Sequence, residues 1–140
     1  MKEIVAKIRK YNDLDPVKVG ITVLVIYAVL LIPVACLHEP WFDEAQAWQI
    51  ARRASYSDIL FFLPHYESHP PLWHLILSVP AKLGLPYEVC IKTINIIFCL
   101  LSVGIIELKS KMSNYLKTFI PFTFFIFYQF GSNSRPYSMM

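Results

Sequence analysis

Apolar positions in this chain gather in long uncharged runs, and the runs predict the elements. Val19 to Leu37 contains no charged residue and comes close to the roughly 20 residues a helix needs to cross a hydrocarbon core. Two further runs follow, Thr93 to Ile106 between Lys92 and Glu107, and Thr118 to Gly131. They predict spans over about 17–37, 88–108 and 116–132. The region 38–87 is mixed in character. Pro40 suits a helix start, and Trp41, Ala45, Trp48 and Arg52 recur at helical spacing. Those residues predict a short helix to Arg53 whose stripe fits the headgroup layer. Ser57 is placed to cap a second short helix through Leu63, stopped by Pro64. His65 to Pro71 reads as a stiff extended stretch, and the apolar piece Leu72 to Val79, closed by Pro80 and Lys82, is too short to span. It is expected as a juxtamembrane helix over 71–83. The fold expected is therefore all-α and integral to a membrane, one segment over residues 1–140 with about three transmembrane helices and outer juxtamembrane helices.

Charge sets the orientation. Lys2, Lys7, Arg9, Lys10 and Lys18 precede the first run against Glu3, Asp13 and Asp15, which places the amino terminus in the cytoplasm. Lys109, Lys111 and Lys117 between the last two runs belong on that same side if 71–79 does not cross. A cleaved signal is the rival interpretation of the first run, but the run exceeds a signal core and Pro33 interrupts it. Composition agrees with a membrane chain: of 140 residues, 56% are apolar and only 16% charged, against about 25% charged in soluble domains. The formal charge of +3 is not gathered on a compact basic face, so a nucleic-acid partner is not expected. Cys36, Cys90 and Cys99 lie in or beside apolar runs and suggest neither a disulfide framework nor a metal spacing. The chain stops at Met140 soon after an apolar run, and a longer polypeptide is expected from that.

Three groups of residues could carry chemistry. Asp43-Glu44 has an ordinary explanation, acids favoured in the first turn of a helix. It also follows a span exit by a few residues between Trp41 and Trp48, where a carboxylate partly withdrawn from water is a stronger base. His69-Pro70-Pro71 is explained blandly as a helix start, and functionally as a rigid turn holding an imidazole at the membrane surface. Arg52, Arg53, Lys92 and Arg135 are basic residues that would ordinarily meet lipid phosphates. Lys92 is sharper, because it heads a span from the inferred outer side, where a cation needs an acid or a bound anion as partner. His38, His65, His69 and His74 fit no closed zinc motif.

The order of these motifs resembles the start of the GT-C membrane glycosyltransferases, particularly the protein O-mannosyltransferase and aminoarabinose-transferase branch. It comprises a first span, Asp43-Glu44-Ala45 on an outer helix, His69-Pro70-Pro71-Leu72, a span headed by a basic residue, and Arg135-Pro136-Tyr137 after the next span. The resemblance implies inverting transfer of a sugar from a polyprenyl-phosphate carrier to an acceptor hydroxyl at the outer face of the cell membrane. It implies Asp43 as the catalytic carboxylate with Glu44 beside it; for the donor phosphate the residues expected are Lys92 and Arg135, with His69 and Tyr137 supporting, because a leaving phosphate is best held by fixed cations. Lys92 departs from the arginine more frequent in the family and lacks its bidentate fork. Some relatives have been assigned a divalent metal and others none, and these residues fix no ligand set. The implied partners are a lipid-linked sugar donor, membrane lipids and the remainder of the transferase; the 140 residues alone are not expected to be active. Two other classes stay open. One is a non-catalytic small membrane protein or remnant that binds lipid or a partner helix. The other is a transporter or channel piece, disfavoured because its ionisable residues would be expected inside the spans.

Overall fold

The computed structural model describes residues 2–63 and 70–139. Its described residues are all-helical, without strands. Helix α1 is Lys2–Asn12 and α2 is Pro16–Leu37. They meet at a corner fixed by Asp15, whose carboxylate accepts from the Val17 amide at 2.9 Å, with Pro16 at the first helical position. Helices α3 (Phe42–Arg53), α4 (Tyr56–Phe61) and α5 (Pro71–Lys82) follow. The long helix α6 is Tyr87–Lys109 and the short α7 is Asn114–Phe119. A 3-10 turn at Ile120–Phe122, a π-helical stretch at Phe124–Ser132 and a last 3-10 turn at Pro136–Met139 complete the chain.

Two helices, α2 and α6, are long and apolar enough to cross a membrane, and their bounds lie within one residue of the expected spans at 17–37 and 88–108. They pack antiparallel: Gly20 lies against the Glu107 backbone, Leu24 near Gly104, and the Lys92 ammonium reaches the Cys36 carbonyl at 3.1 Å. The outward faces of both helices are apolar and exposed, with Val25 and Val29 on α2 and Leu101 and Ile105 on α6. That is the pattern of a helix solvated by something apolar, where soluble helices carry charge.

The run expected as a third span over 116–132 is not one long helix. It is broken into α7, the 3-10 turn and the π-helical stretch. Contacts nevertheless carry it from one end of the α2–α6 pair to the other: Tyr11 meets Thr118, Tyr27 meets Ile126, Asn95 meets Gly131 and Glu44 meets Ser134. Pro121 accounts for the first break. The wider π geometry has a physical cause in side chains from neighbouring helices that compete for its carbonyls. Tyr27 donates to the Ile126 carbonyl (3.3 Å), Asn95 to those of Phe130 and Gly131 (3.2 and 2.9 Å), and the Cys99 thiol to that of Phe130 (3.3 Å).

Two apolar clusters hold the bundle. One joins α2, α6 and the π-helical stretch through Tyr27, Leu31, Cys99 and Val103, with Tyr27 edge-on to Phe127 at 5.6 Å. The other joins α3, α5 and α6 through Trp48, Ala51, Trp73, Leu77 and Ile91. Trp48 corrects an expectation, since it is buried in this cluster while Trp41 stays exposed. The stripe of Trp41, Ala45, Trp48 and Arg52 is therefore not one headgroup-facing surface; α3 buries Glu44, Ala47, Trp48 and Ala51 instead. The cap of α4 is also shifted, from Ser57 to Ser55, whose hydroxyl accepts from the Asp58 amide at 3.2 Å. The apolar segment after Pro70 forms α5, which continues through Pro80 to Lys82. Its turn into α6 uses Gly84 at φ 76°, a left-handed conformation that glycine adopts without strain.

Candidate functional site

Of the sequence-derived site residues, Asp43, Glu44, Arg135 and Tyr137 come together where α2 ends. Glu44 sits in the first turn of α3, one residue after Asp43, and the two carboxylates point to different environments. Asp43 is about half exposed (50%) and forms an ion pair with the Arg135 guanidinium. Glu44 is buried (1%), and its Oε1 accepts the Ser134 backbone amide at 2.7 Å. His38, the residue that ends α2, brings Nε2 to 3.5 Å from the same oxygen. One dipeptide thus grips the turn after the π-helical stretch twice, through the Arg135 side chain and through the backbone beside it.

Arg135 is held on several sides. Its Nη1 donates to the Tyr137 hydroxyl at 3.4 Å, and its guanidinium lies 5.7 Å from the Trp41 ring centre and 6.0 Å from that of Tyr137. Such cation–π contacts contribute about 0.5–1 kcal/mol each at exposed sites and more when dry. A guanidinium so placed is a fixed cation, with less conformational freedom to lose when it meets a phosphate. Tyr137 also packs on Phe130 at 5.7 Å between ring centres and lines, with Tyr27, Cys99, Ser102 and Val103, an apolar cavity of about 190 Å³.

Lys92 lies at the same end of the bundle but is engaged elsewhere. Its ammonium donates to the Cys36 carbonyl in the last turn of α2 and stands 3.8 Å from Glu88. The partner expected for a cation at this position is thus supplied within the protein, by a helix C-terminal carbonyl and an acid one turn away. His69 lies outside the described residues, as do His65 and Glu67. Arg52 and Arg53 are exposed in the last turn of α3.

Sequence reasoning missed three contributors: His38, the turn 132–134 and Asn95. His38 and Ser134 touch Glu44. Ser132, Asn133 and Ser134 form a buried polar turn, in which the Ser132 hydroxyl and the Asn133 Oδ1 have no hydrogen-bond partner among the described residues, like Glu44 Oε2 beside them. The run Gly131-Ser132-Asn133-Ser134 directly after an apolar stretch was the available signal. The third is Asn95, inside α6, which donates to two carbonyls of the π-helical stretch and fixes how far the Arg135 turn sits along the bundle. Among the described residues, no three of His, Cys, Asp and Glu converge in a way that could hold a metal ion.

No known protein family, curated protein or solved structure matches this chain. The site's own chemistry therefore carries the functional argument. It consists of an accessible carboxylate, a fixed guanidinium against it, and a second carboxylate beneath that holds the cation-bearing turn.

Proposed function

We propose that this chain is the acid-bearing segment of a GT-C-type glycosyltransferase in the cell membrane, transferring a sugar from a polyprenyl-phosphate donor to an acceptor hydroxyl at the outer face. In this reading α2, α6 and the run over about 116–132 are three spans, with the amino terminus in the cytoplasm. The observation that carries it is the meeting of Asp43 and Arg135, 92 residues apart in sequence, where the α2 helix ends. A proton acceptor and an anion-binding cation at one apolar boundary are what the reaction needs. Asp43 accepts the proton of the acceptor hydroxyl as that oxygen bonds to the anomeric carbon, and the bond from that carbon to the phosphate oxygen breaks, its electron pair leaving with the phosphate. Arg135 neutralises the departing phosphate. The ion pair is then the resting arrangement: donor phosphate competes for Arg135 and releases Asp43 to act as base. Glu44, already committed to Ser134, holds the cation in place. Tyr137 borders the donor phosphate beside Arg135, and Lys92 and His69 have supporting roles. The partners are the lipid-linked donor, membrane lipids and the remainder of the transferase.

The test is sugar transfer from a polyprenyl-phosphate donor by membranes carrying the full-length protein. Asp43→Asn is expected to lower turnover by about 10²–10⁴-fold, the usual contribution of a general base, with the protein still present at its normal level. Unchanged turnover in that variant refutes the assignment. A second reading, a non-catalytic membrane protein, is favoured by the closed Asp43–Arg135 pair itself, which would serve as a clamp between α3 and the last turn. That reading expects no transfer from the unaltered protein, and only a small loss of stability in Asp43→Asn.

A further inference from the structure

The end of the bundle opposite Asp43 carries a surface that the proposed reaction does not use. Helix α1 is strongly amphipathic: Ile4, Val5, Ile8 and Tyr11 share one face, Lys7 and Arg9 flank it, and Lys2 and Lys10 lie on the polar side. Ile8 and Tyr11 are partly covered, whereas Ile4 and Val5 are 64% and 59% exposed. Between α1 and α7 runs an apolar groove of about 400 Å³, lined by Ile8, Tyr11, Tyr115, Thr118 and Phe119, with Lys7 at its edge.

The helix is bolted at the level where α2 begins. The Tyr11 and Thr118 hydroxyls are 2.7 Å apart, the Asn12 Oδ1 accepts from the Tyr115 amide at 2.9 Å, and the Asn114 amide group donates to the Leu14 carbonyl at 2.9 Å. Leu14 and Val17 at the corner are themselves exposed and apolar. With α2 as a span, its first turn marks the hydrocarbon boundary and α1 lies directly before it in the chain; an amphipathic helix at that level turns its uncovered apolar residues toward the acyl chains. Its flanking cations then lie at the depth of the phosphates. Lys7 has only an exposed pair with Glu3, at 3.2 Å and both ends open to solvent, which competes weakly with a phosphate.

We propose that α1 and α7 form a binding site for an anionic phospholipid of the leaflet at this end. An acyl chain lies in the groove and the headgroup phosphate is held by Lys7 at its edge, while Arg9 on the other flank of α1 adds to the positive potential that draws the anionic lipid. Charge complementarity selects this occupant over a second copy of the chain, whose α1 would bring the same excess of cations against this one. The proposal rests on α2 being a span and is independent of the sugar-transfer reading.

The experiment titrates the detergent-purified full-length protein with phosphatidylglycerol and, in parallel, phosphatidylcholine, counting bound lipids by native mass spectrometry. Phosphatidylglycerol is expected to bind more tightly. The double variant Lys7→Gln/Arg9→Gln is expected to lose roughly 30-fold of that affinity, about 5-fold for each cation near an anionic headgroup. The charge-preserving exchange Lys7→Arg/Arg9→Lys should retain the preference, separating loss of charge from misfolding. Ile4→Asn/Val5→Asn should weaken both lipids alike. Equal binding of the two lipids by the unaltered protein, or an undiminished preference in the glutamine variant, overturns the site. So does displacement of the lipid by inorganic phosphate, which would show a headgroup-only site, or a dimer through Ile4 and Val5 that phosphatidylglycerol does not dissociate. Release of the protein from vesicles of equal parts of the two lipids by alkaline carbonate would overturn it by removing the span on which it rests, leaving the chemistry at Asp43 to be judged separately.

Discussion

The neighbouring acids Asp43 and Glu44 show how adjacent residues of one type acquire different work. A helix turns by about 100° per residue, so once α3 docks against α5 and α6 one carboxylate stays half exposed and the next faces the interior. Glu44 compensates for its burial by accepting the Ser134 amide, and a buried donor left without an acceptor costs about 1–3 kcal/mol. Glu44→Leu is therefore expected to lower the unfolding free energy in detergent by that amount, measured from denaturant midpoints, while Glu44→Gln, which keeps a carbonyl acceptor, should lose less. Equal losses would show that the Ser134 contact carries no weight. The two ends of the ion pair should differ as well. Asp43 is half exposed, and an exposed pair contributes about 0–1 kcal/mol; Arg135 has in addition the faces of Trp41 and Tyr137. Arg135→Ala is expected to destabilise more than Asp43→Ala, by about 1 kcal/mol for the lost aromatic contacts. The acid pair and the arginine were visible in the sequence as residue types at helix and span ends. That His38 and a backbone amide would flank Glu44 was not, because neither partner's position follows from local pattern.

Among elements, α2 and α6 were legible because a helix long enough to cross hydrocarbon satisfies its own backbone and needs no distant partner to define it. Their fit to each other depends on small residues at the contact. A Cβ at Gly20 would stand 2.9 Å from the Glu107 carbonyl oxygen, a backbone atom with no freedom to move aside, whereas at Gly104 it would meet only the Leu24 methyl at 3.7 Å. Gly20→Ala should force the helices apart and cost about 1–3 kcal/mol, as overpacking does; Gly104→Ala should be neutral or slightly stabilising. Thermal unfolding of the two variants in the same detergent checks the contrast, and equal shifts would mean that the helices are not in contact at Gly20. The third run was legible only as an apolar stretch. Its break at Pro121 is local, but its π geometry depends on donors from Tyr27, Asn95 and Cys99, which lie far away in sequence. Asn95→Leu removes donors to two carbonyls and is expected to cost about 0.6–2 kcal/mol, with the larger effect on the order of the 131–135 turn. Hydrogen exchange at Ser134, faster in the variant than in the unaltered protein, would register it.

At the scale of the whole molecule the antiparallel α2–α6 pair separates two ends with different chemistry. Acid and guanidinium meet at one end; at the other lie the basic face of α1 and the lysines after α6. If both helices cross a bilayer, cysteines introduced by Glu39→Cys and Tyr137→Cys should be labelled by an impermeant thiol reagent from one side, and Lys111→Cys from the other. Labelling of all three from the same side would exclude the crossing arrangement. The first two uncharged runs by themselves determined where the long helices form and that their outward faces are apolar, since hydropathy and backbone self-satisfaction act over neighbouring residues. The charge pattern likewise supplied a basis for orientation. Only the tertiary structure decided that Trp48 leaves the surface stripe for the core, that the last apolar run gives up regular α-helix, and that Glu44 takes the Ser134 amide while Asp43 takes Arg135. These outcomes depend on which groups arrive opposite one another after packing. A buried amide, carbonyl or carboxylate must find a partner from whatever distant segment lies within reach.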